Sequence, residues 1–161
     1  MRILGIDPGF GRTGFGVIEG TRDKWKSITY GCIESDAKAD FVDRLELLHQ
    51  ELKKIIDLYT PDRAAVEELF FSDNAKTALR VGQARGTILL TLRQAKLPVS
   101  EFTPLEVKQM LTGYGRADKS QVQKMVQLSL GLGKKKIQDD AADALAVALT
   151  AGFIGKKYEG N

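Results

Sequence analysis

Four acidic residues dispersed along the chain have the types and spacing of a metal-binding cluster. Asp7 and Glu67 each end a short apolar run, as residues at the end of a buried strand do. Asp140 and Asp143 lie three residues apart in an alanine-rich segment, so they share one face if that segment is a helix. Carboxylates are rarely buried unless they are paired or bind a cation. If the two strand ends and the helix converge, the four carboxylates form an oxygen-ligand pocket for Mg²⁺ or Mn²⁺.

Each of these acids also has an explanation that requires no metal. Asp7 precedes the glycine-rich turn Pro8–Gly14 and could simply cap it. Acidic residues at the start of a helix interact favourably with the helix dipole. That is sufficient for Asp139, but it explains Asp143 poorly, because alanines on both sides of Asp143 indicate tight packing.

Basic residues near the acids are candidate contacts to a phosphate backbone. Lys108 falls in one predicted helix, and Lys119 falls at the start of another, where helix N-termini favour phosphate. Lys119 could also stabilise charge that develops on a reacting phosphate. Lys76 and Arg80 lie on a polar face of a long predicted helix. For all four side chains a solvated surface is the more common explanation.

Two adjacent aromatic residues, Phe70 and Phe71, follow Glu67 in a predicted loop. Such rings most often anchor a loop on the core. The alternative is that one ring is exposed and stacks on a nucleobase, as aromatic side chains do in nucleic-acid grooves. The sequence does not decide which ring points outward.

The long predicted helix carries two internal glycines, Gly82 and Gly86, four residues apart. Each costs about 1 kcal/mol against alanine within a helix. Close packing would compensate for this cost. We therefore expect this face to contact either the sheet or a second copy of the same helix.

The length and composition limit the number of domains, the kind of partner and the location of the protein. A chain of 161 residues, 43% of them hydrophobic and 28% charged, is typical of a globular protein with one core, and we expect a single domain over residues 1–161. The net charge of +3 allows a polyanionic partner without requiring one. The single cysteine, Cys32, excludes an internal disulfide. No apolar run reaches the ~18 residues of a membrane span or resembles a secretory signal, so no membrane association and cytoplasmic residence are expected.

The order of the predicted elements indicates an α/β fold with a mixed five-stranded sheet and helices on both faces. Three strands come first and are separated by short turns, as in an antiparallel meander. Helices and strands then alternate, and three helices end the chain. The predicted strands are Arg2–Asp7, Thr13–Glu19, Lys26–Glu34, Arg63–Glu67 and Leu97–Phe102, and the predicted helices are about Asp40–Tyr59, Asn74–Ala95, Pro104–Leu111, Lys119–Leu130 and Asp139–Phe153.

An ordered set of motifs across about residues 1–150 resembles the bacterial crossover (Holliday) junction endodeoxyribonuclease family, RuvC. Each motif is weak alone, but the set is highly specific. In chain order the motifs are LGIDPG, TG-x-GV, AVEELFF, GQARG, VKQ, ADKSQV and DDAADALAVA. The resemblance implies a ribonuclease-H-like fold, a homodimer, and symmetric nicking of two strands of a four-way DNA junction that leaves 5′-phosphate and 3′-hydroxyl ends. It also implies the branch-migration proteins RuvA and RuvB as partners.

The same resemblance assigns the metal site. It implies two Mg²⁺ ions per active site, with Mn²⁺ as a substitute, and it places the four metal ligands on Asp7, Glu67, Asp140 and Asp143. An aspartate stands at both 139 and 140, and we select Asp140 because it lies three residues before Asp143. A two-fold dimer fits this chemistry because it presents identical sites to two equivalent strands.

Three rival interpretations make different predictions. The RuvX-type family shares the fold and the first hairpin, but its members are usually shorter and lack the GQARG and ADKSQV segments. ATPases of the actin and sugar-kinase type need two such domains to enclose a nucleotide, and 161 residues are too few. A non-catalytic junction-binding module would have no need for all four acids.

Overall fold

The computed structural model describes residues 1–21, 24–68 and 75–155, which form one mixed sheet with helices on both faces. In chain order the elements are β1 Arg2–Asp7, β2 Arg12–Thr21, β3 Lys24–Glu34, α1 Phe41–Tyr59, β4 Arg63–Glu67, α2 Ala75–Gln94, β5 Val99–Phe102, α3 Pro104–Thr112, α4 Lys119–Leu130 and α5 Asp139–Ile154. The strand order is β3-β2-β1-β4-β5. Strands β1 to β3 form an antiparallel meander, and β4 and β5 extend the sheet in parallel with β1.

The predicted α/β fold class and the type of every predicted element are confirmed, and their ends shift by a few residues. Strand β5 begins at Val99 rather than at Leu97, with Pro98 just before it. Proline has no backbone N–H to donate, but its carbonyl still accepts a hydrogen bond from Ala64 N at 2.9 Å. Helix α3 begins where Thr103 and Glu106 form a capping box.

Side chains that alternate along the strands build two cores, one on each face of the sheet. In β1, Ile3 belongs to the core covered by α3, α4 and α5, whereas Leu4 belongs to the core covered by α1 and α2. Helix α5 is buried along almost its whole length, from Ala141 to Gly152. A helix that is apolar on all sides lies inside a protein, and its short side chains allow it to lie close to the strands.

None of the helices in the described ranges has the length and apolar composition that crossing a bilayer would require. Helix α5 is the most apolar of them, and it is covered by the sheet, α3 and α4.

Candidate active site

The sheet brings Asp7 and Glu67 side by side. Strands β1 and β4 are adjacent and parallel, and Ile6 pairs with Val66. The next residue in each strand is therefore an acid at the same, carboxyl-terminal edge of the sheet. The two carboxyl groups lie close enough for one of them, when protonated, to donate a hydrogen bond to the other. This edge is where parallel α/β sheets commonly carry their binding sites.

The environment of Asp7 disfavours negative charge. Burial, followed by repulsion from Glu67 and Asp143, raises the pKa of the Asp7 carboxyl to about 8. Burial also raises the pKa of Glu67 and of Asp143 above their ordinary values. Asp140 adds further repulsion at Asp7. The four acids identified from the sequence therefore interact with one another as a group.

Glycines in β1 and β2 bring helix α5, with Asp140 and Asp143, down onto the strands. A Cβ atom on Gly14 would lie 1.9 Å from the backbone oxygen of Asp140, and one on Gly5 would lie 2.1 Å from that of Ala144. No side chain fits at such distances. Because Gly14 pairs with Asp7 across β1 and β2, this contact places the first turn of α5 directly beside Asp7.

Cationic side chains flank the acids. Lys119 Nζ lies 3.3 Å from Asp143 Oδ2 and 3.4 Å from Asp139 Oδ2. Burial acts to lower the pKa of the Lys119 ammonium, but the two carboxylates outweigh it and the pKa lies above its ordinary value. On the other side, Arg12 Nη1 lies 3.5 Å from Asp140 Oδ2. The cluster therefore already attracts positive charge.

A cavity of about 280 Å³ opens beside the acids, between β4, α3, α4 and α5. Glu67, Asp143, Lys108 and Lys119 line it together with apolar side chains. The cavity thus combines carboxylates, which suit a cation, with lysines, which suit a phosphate.

The other predicted contacts lie on α2 or outside the described residues. Lys76 and Arg80 are exposed on α2, and Arg80 lies over the ring of Phe10, 5.1 Å from its centroid. Phe70 and Phe71 fall outside the described residues. Sequence reasoning missed Arg12, although its position five residues after Asp7 in the same hairpin was a signal.

The donor set fits a hard divalent cation. Within the ranges that the structure describes, no three His, Cys, Asp or Glu side chains are already arranged around one metal position. However, the carboxyl groups of Asp7, Glu67 and Asp143 are buried close enough to repel one another, and a divalent cation would relieve that repulsion. All the candidate ligands are oxygen donors, the class that Mg²⁺, Mn²⁺ and Ca²⁺ prefer.

The raised pKa of Asp7 predicts how stability depends on pH in the absence of metal. Between pH 3.8 and about 8 the folded state holds a proton on Asp7 that the unfolded state has lost, so this group's contribution to the free energy of unfolding falls as pH rises. Asp7→Asn removes that contribution. At pH 8 in chelator we expect the variant to be more stable than the parent by more than about 1 kcal/mol, and the gain to be largely absent at pH 4.

Urea unfolding at the two pH values measures this difference. Glu46→Gln, at an exposed position on α1, is the matched control and should show no pH-dependent gain. An equal effect of Asp7→Asn at pH 4 and pH 8 would contradict the raised pKa.

Comparisons with known proteins agree with this geometry. The family model described as "Crossover junction endodeoxyribonuclease RuvC" matches residues 3–151. The crossover junction endodeoxyribonuclease RuvC of Caldicellulosiruptor saccharolyticus is 55% identical over 150 residues, covering 92% of this chain and 90% of that protein. The corresponding protein of Thermosipho melanesiensis is 51% identical over 148 residues, covering 92% and 94%.

Solved structures show the same likeness in three dimensions. T. thermophilus RuvC in complex with Holliday junction substrate superimposes with a TM-score of 0.91 at 34% identity, covering 96% of this chain and 94% of that one. The yeast mitochondrial Holliday junction resolvase Ydc2 has a TM-score of 0.66 at 14% identity, covering 94% and 78%, which supports the fold alone. The predicted ribonuclease-H-like fold is thereby confirmed. The chain belongs to the RuvC family of crossover junction endodeoxyribonucleases, whose members are metal-dependent nucleases.

Proposed function

We propose that this protein resolves four-way DNA junctions by nicking two symmetric strands, which leaves 5′-phosphate and 3′-hydroxyl ends that a ligase can join. The observation that carries the proposal is the convergence of Asp7, Glu67, Asp140 and Asp143 beside Lys119. Two strand ends and one helix, far apart in sequence, meet at this point. The relatives named above act on the same class of substrate by their names.

The described residues divide the chemistry between them. Lys119 and Lys108 line the cavity, where their ammonium groups would bind the oxygens of the scissile phosphate and stabilise the charge that develops there. Glu67 and Asp143 line the same cavity and, with Asp7 and Asp140, would hold the divalent cations. When bound, such ions activate a water molecule for attack and stabilise the leaving oxygen. Lys119 is already oriented by its contact with Asp143.

We further propose that the metal is Mg²⁺, with two ions per site and Mn²⁺ as a substitute. The support is the all-oxygen donor set, since neither histidine nor cysteine is among the four candidate ligands. Calcium accepts a larger and looser coordination shell, so it should support junction binding while cutting remains slow.

The corresponding prediction is that nicking of a labelled junction requires Mg²⁺ or Mn²⁺ and is at least about tenfold slower in Ca²⁺. A time course on a synthetic four-way junction, beside a duplex of matched sequence, measures it. Robust nicking in excess chelator would exclude the metal-dependent mechanism. Equal nicking of junction and duplex would exclude junction selectivity.

We propose that the protein acts as a homodimer through α2. Gly82 and Gly86 do not pack on the sheet: a Cβ atom at either position would meet nothing within 4 Å among the described residues. Of the two expected contacts, this leaves a second copy of the helix. Exposed Leu79 and Leu90, which are 66% and 59% exposed, extend the same stripe in both directions. Small and apolar residues at helical spacing allow two helices to approach closely.

The dimer proposal predicts that Gly86→Arg yields monomers. The monomer fold should remain intact, because arginine is a better helix former than glycine and the position is open. Gln94→Arg introduces the same side chain at an exposed position at the end of α2 and is the control. Sedimentation at micromolar concentration measures the association, and a Gly86→Arg dimer as stable as the parent would contradict this interface.

Two further contacts are proposals that rest on family membership. The first is stacking of Phe70 or Phe71 on a base of the junction. The second is cooperation with the branch-migration proteins RuvA and RuvB.

A further inference from the structure

Two arginine side chains converge on the ring of Phe10, beside the turn that follows Asp7. Arg44 Cζ lies 3.9 Å from the ring centroid and Arg80 Cζ lies 5.1 Å from it. Both distances are within the range of cation–π attraction. Phe10 is three residues from Asp7, so this cluster stands at the carboxylate edge of the sheet. The mechanism above uses none of the three side chains.

Arg44 forms a rigid base for the cluster. It is only 9% exposed, and its Nε donates a hydrogen bond to Ser35 Oγ at 2.8 Å. Its Nη2 approaches the carbonyl oxygen of Phe10 at 3.5 Å. The ring of Phe41 packs against that of Phe10 with a centroid distance of 5.2 Å. Phe10 is thus held from several directions.

Acids among the described residues do not balance the positive charge of this cluster. In residues 1–21, 24–68 and 75–155, no ion pair involves Arg44 or Arg80. Arg12, in the same turn, is by contrast paired with Glu34 and Asp140. A buried guanidinium without a carboxylate partner is unusual, and two cations at one ring repel each other. An anion bound at this position would relieve both costs.

We infer that Arg80 is a phosphate-binding residue for a DNA strand that passes the Phe10 turn, and that Phe10 and Arg44 are positioning residues for it. This inference rests on the proposed function. Arg80 is exposed, and its guanidinium forms no hydrogen bond with other described residues. A guanidinium that lies over an aromatic ring keeps its N–H groups along its edge, where a phosphate can accept two of them. This contact lies outside the cavity that contains Lys108 and Lys119.

The test measures junction affinity as a function of salt for Arg80→Gln, with Arg93→Gln as the control. Both variants remove one exposed arginine of α2, but Arg93 lies in the last turn, away from Phe10. In fluorescence anisotropy with chelator present, we expect Arg80→Gln to lower affinity about tenfold at 0.1 M salt. The slope of the logarithm of the association constant against the logarithm of salt concentration is negative. Its magnitude should decrease by about 1, as for the loss of one phosphate contact.

Phe10 variants test the positioning role separately. Phe10→Leu keeps both arginine charges but removes the ring, and we expect it to lower junction affinity two- to fivefold. Phe10→Tyr keeps the cation–π contact and should bind the junction as tightly as the parent. Equal salt slopes for Arg80→Gln and Arg93→Gln would overturn the phosphate contact at Arg80. That result would not affect the proposed function, which depends on junction cleavage by the parent protein. Parental affinity in Phe10→Leu would overturn the positioning role. Failure of the parent to bind a junction would overturn the proposed function as well.

Discussion

Asp7→Asn is expected to abolish most cleavage, by about 100-fold or more, while leaving junction binding nearly unchanged. Asparagine keeps the size of the side chain and one oxygen donor but removes the charge that would hold divalent cations beside Glu67 and Asp143. Binding should rest instead on lysines and arginines that meet phosphates. A gel shift beside a nicking time course, both at matched salt, measures the separation.

The neighbouring acids provide controls for this prediction. Glu67→Gln, Asp140→Asn and Asp143→Asn should behave as Asp7→Asn does, whereas Asp139→Asn should retain most activity. Asp139 is exposed and pairs with Lys119 and with Gln123 Nε2 at 3.0 Å. Near-parental cutting by Asp7→Asn would contradict the metal cluster. If Asp139→Asn is inactive and Asp140→Asn is active, the metal-cluster hypothesis stands, but the first ligand in α5 is Asp139 rather than Asp140.

The fold could be predicted from the sequence because its local signals agree with one another. The apolar runs of β1 and β4 end in acids, and the alanine-rich segment around Asp143 forms the buried helix α5. The likeness in sequence to a known family supplied the assignment of the acids. The structure then gives the physical reason, which is the shared edge of parallel β1 and β4.

What the sequence could not predict depends on contacts between distant residues. Nothing in the local pattern indicates that Arg44, in α1, and Arg80, in α2, reach the same ring. The sequence indicated only that Gly5 and Gly14 lie in strands or turns. It did not indicate that a helix packs on them, because that helix is more than a hundred residues away in the chain. The face of Gly82 and Gly86 was recognised, but only the structure excludes the sheet as its contact.

The closeness of α5 to the strands leads to the second large effect, at Gly14. Gly14→Ala should lower both stability and cleavage, because its Cβ would lie 1.9 Å from the backbone oxygen of Asp140 and no rotamer change can relieve a backbone clash. The first turn of α5 must move away from β2 and carry Asp140 and Asp143 with it. We expect a loss of about 1–3 kcal/mol in the free energy of unfolding and of about 100-fold in cleavage rate, since a displacement of about 1 Å at reacting groups has that cost.

Gly11→Ala and Gly5→Ala separate the two effects. The nearest atom to a Cβ on Gly11 is Arg44 Nη2 at 3.4 Å, an ordinary van der Waals distance, so this variant should resemble the parent. A Cβ on Gly5 would lie 2.1 Å from Ala144 O and 2.8 Å from Ala148 Cβ, which pushes on the middle of α5. It should therefore reduce stability at least as much as Gly14→Ala. Thermal melting and single-turnover nicking of the three variants measure both quantities. If Gly14→Ala melts and cuts as the parent does, close packing of α5 on β2 does not set the position of Asp140 and Asp143.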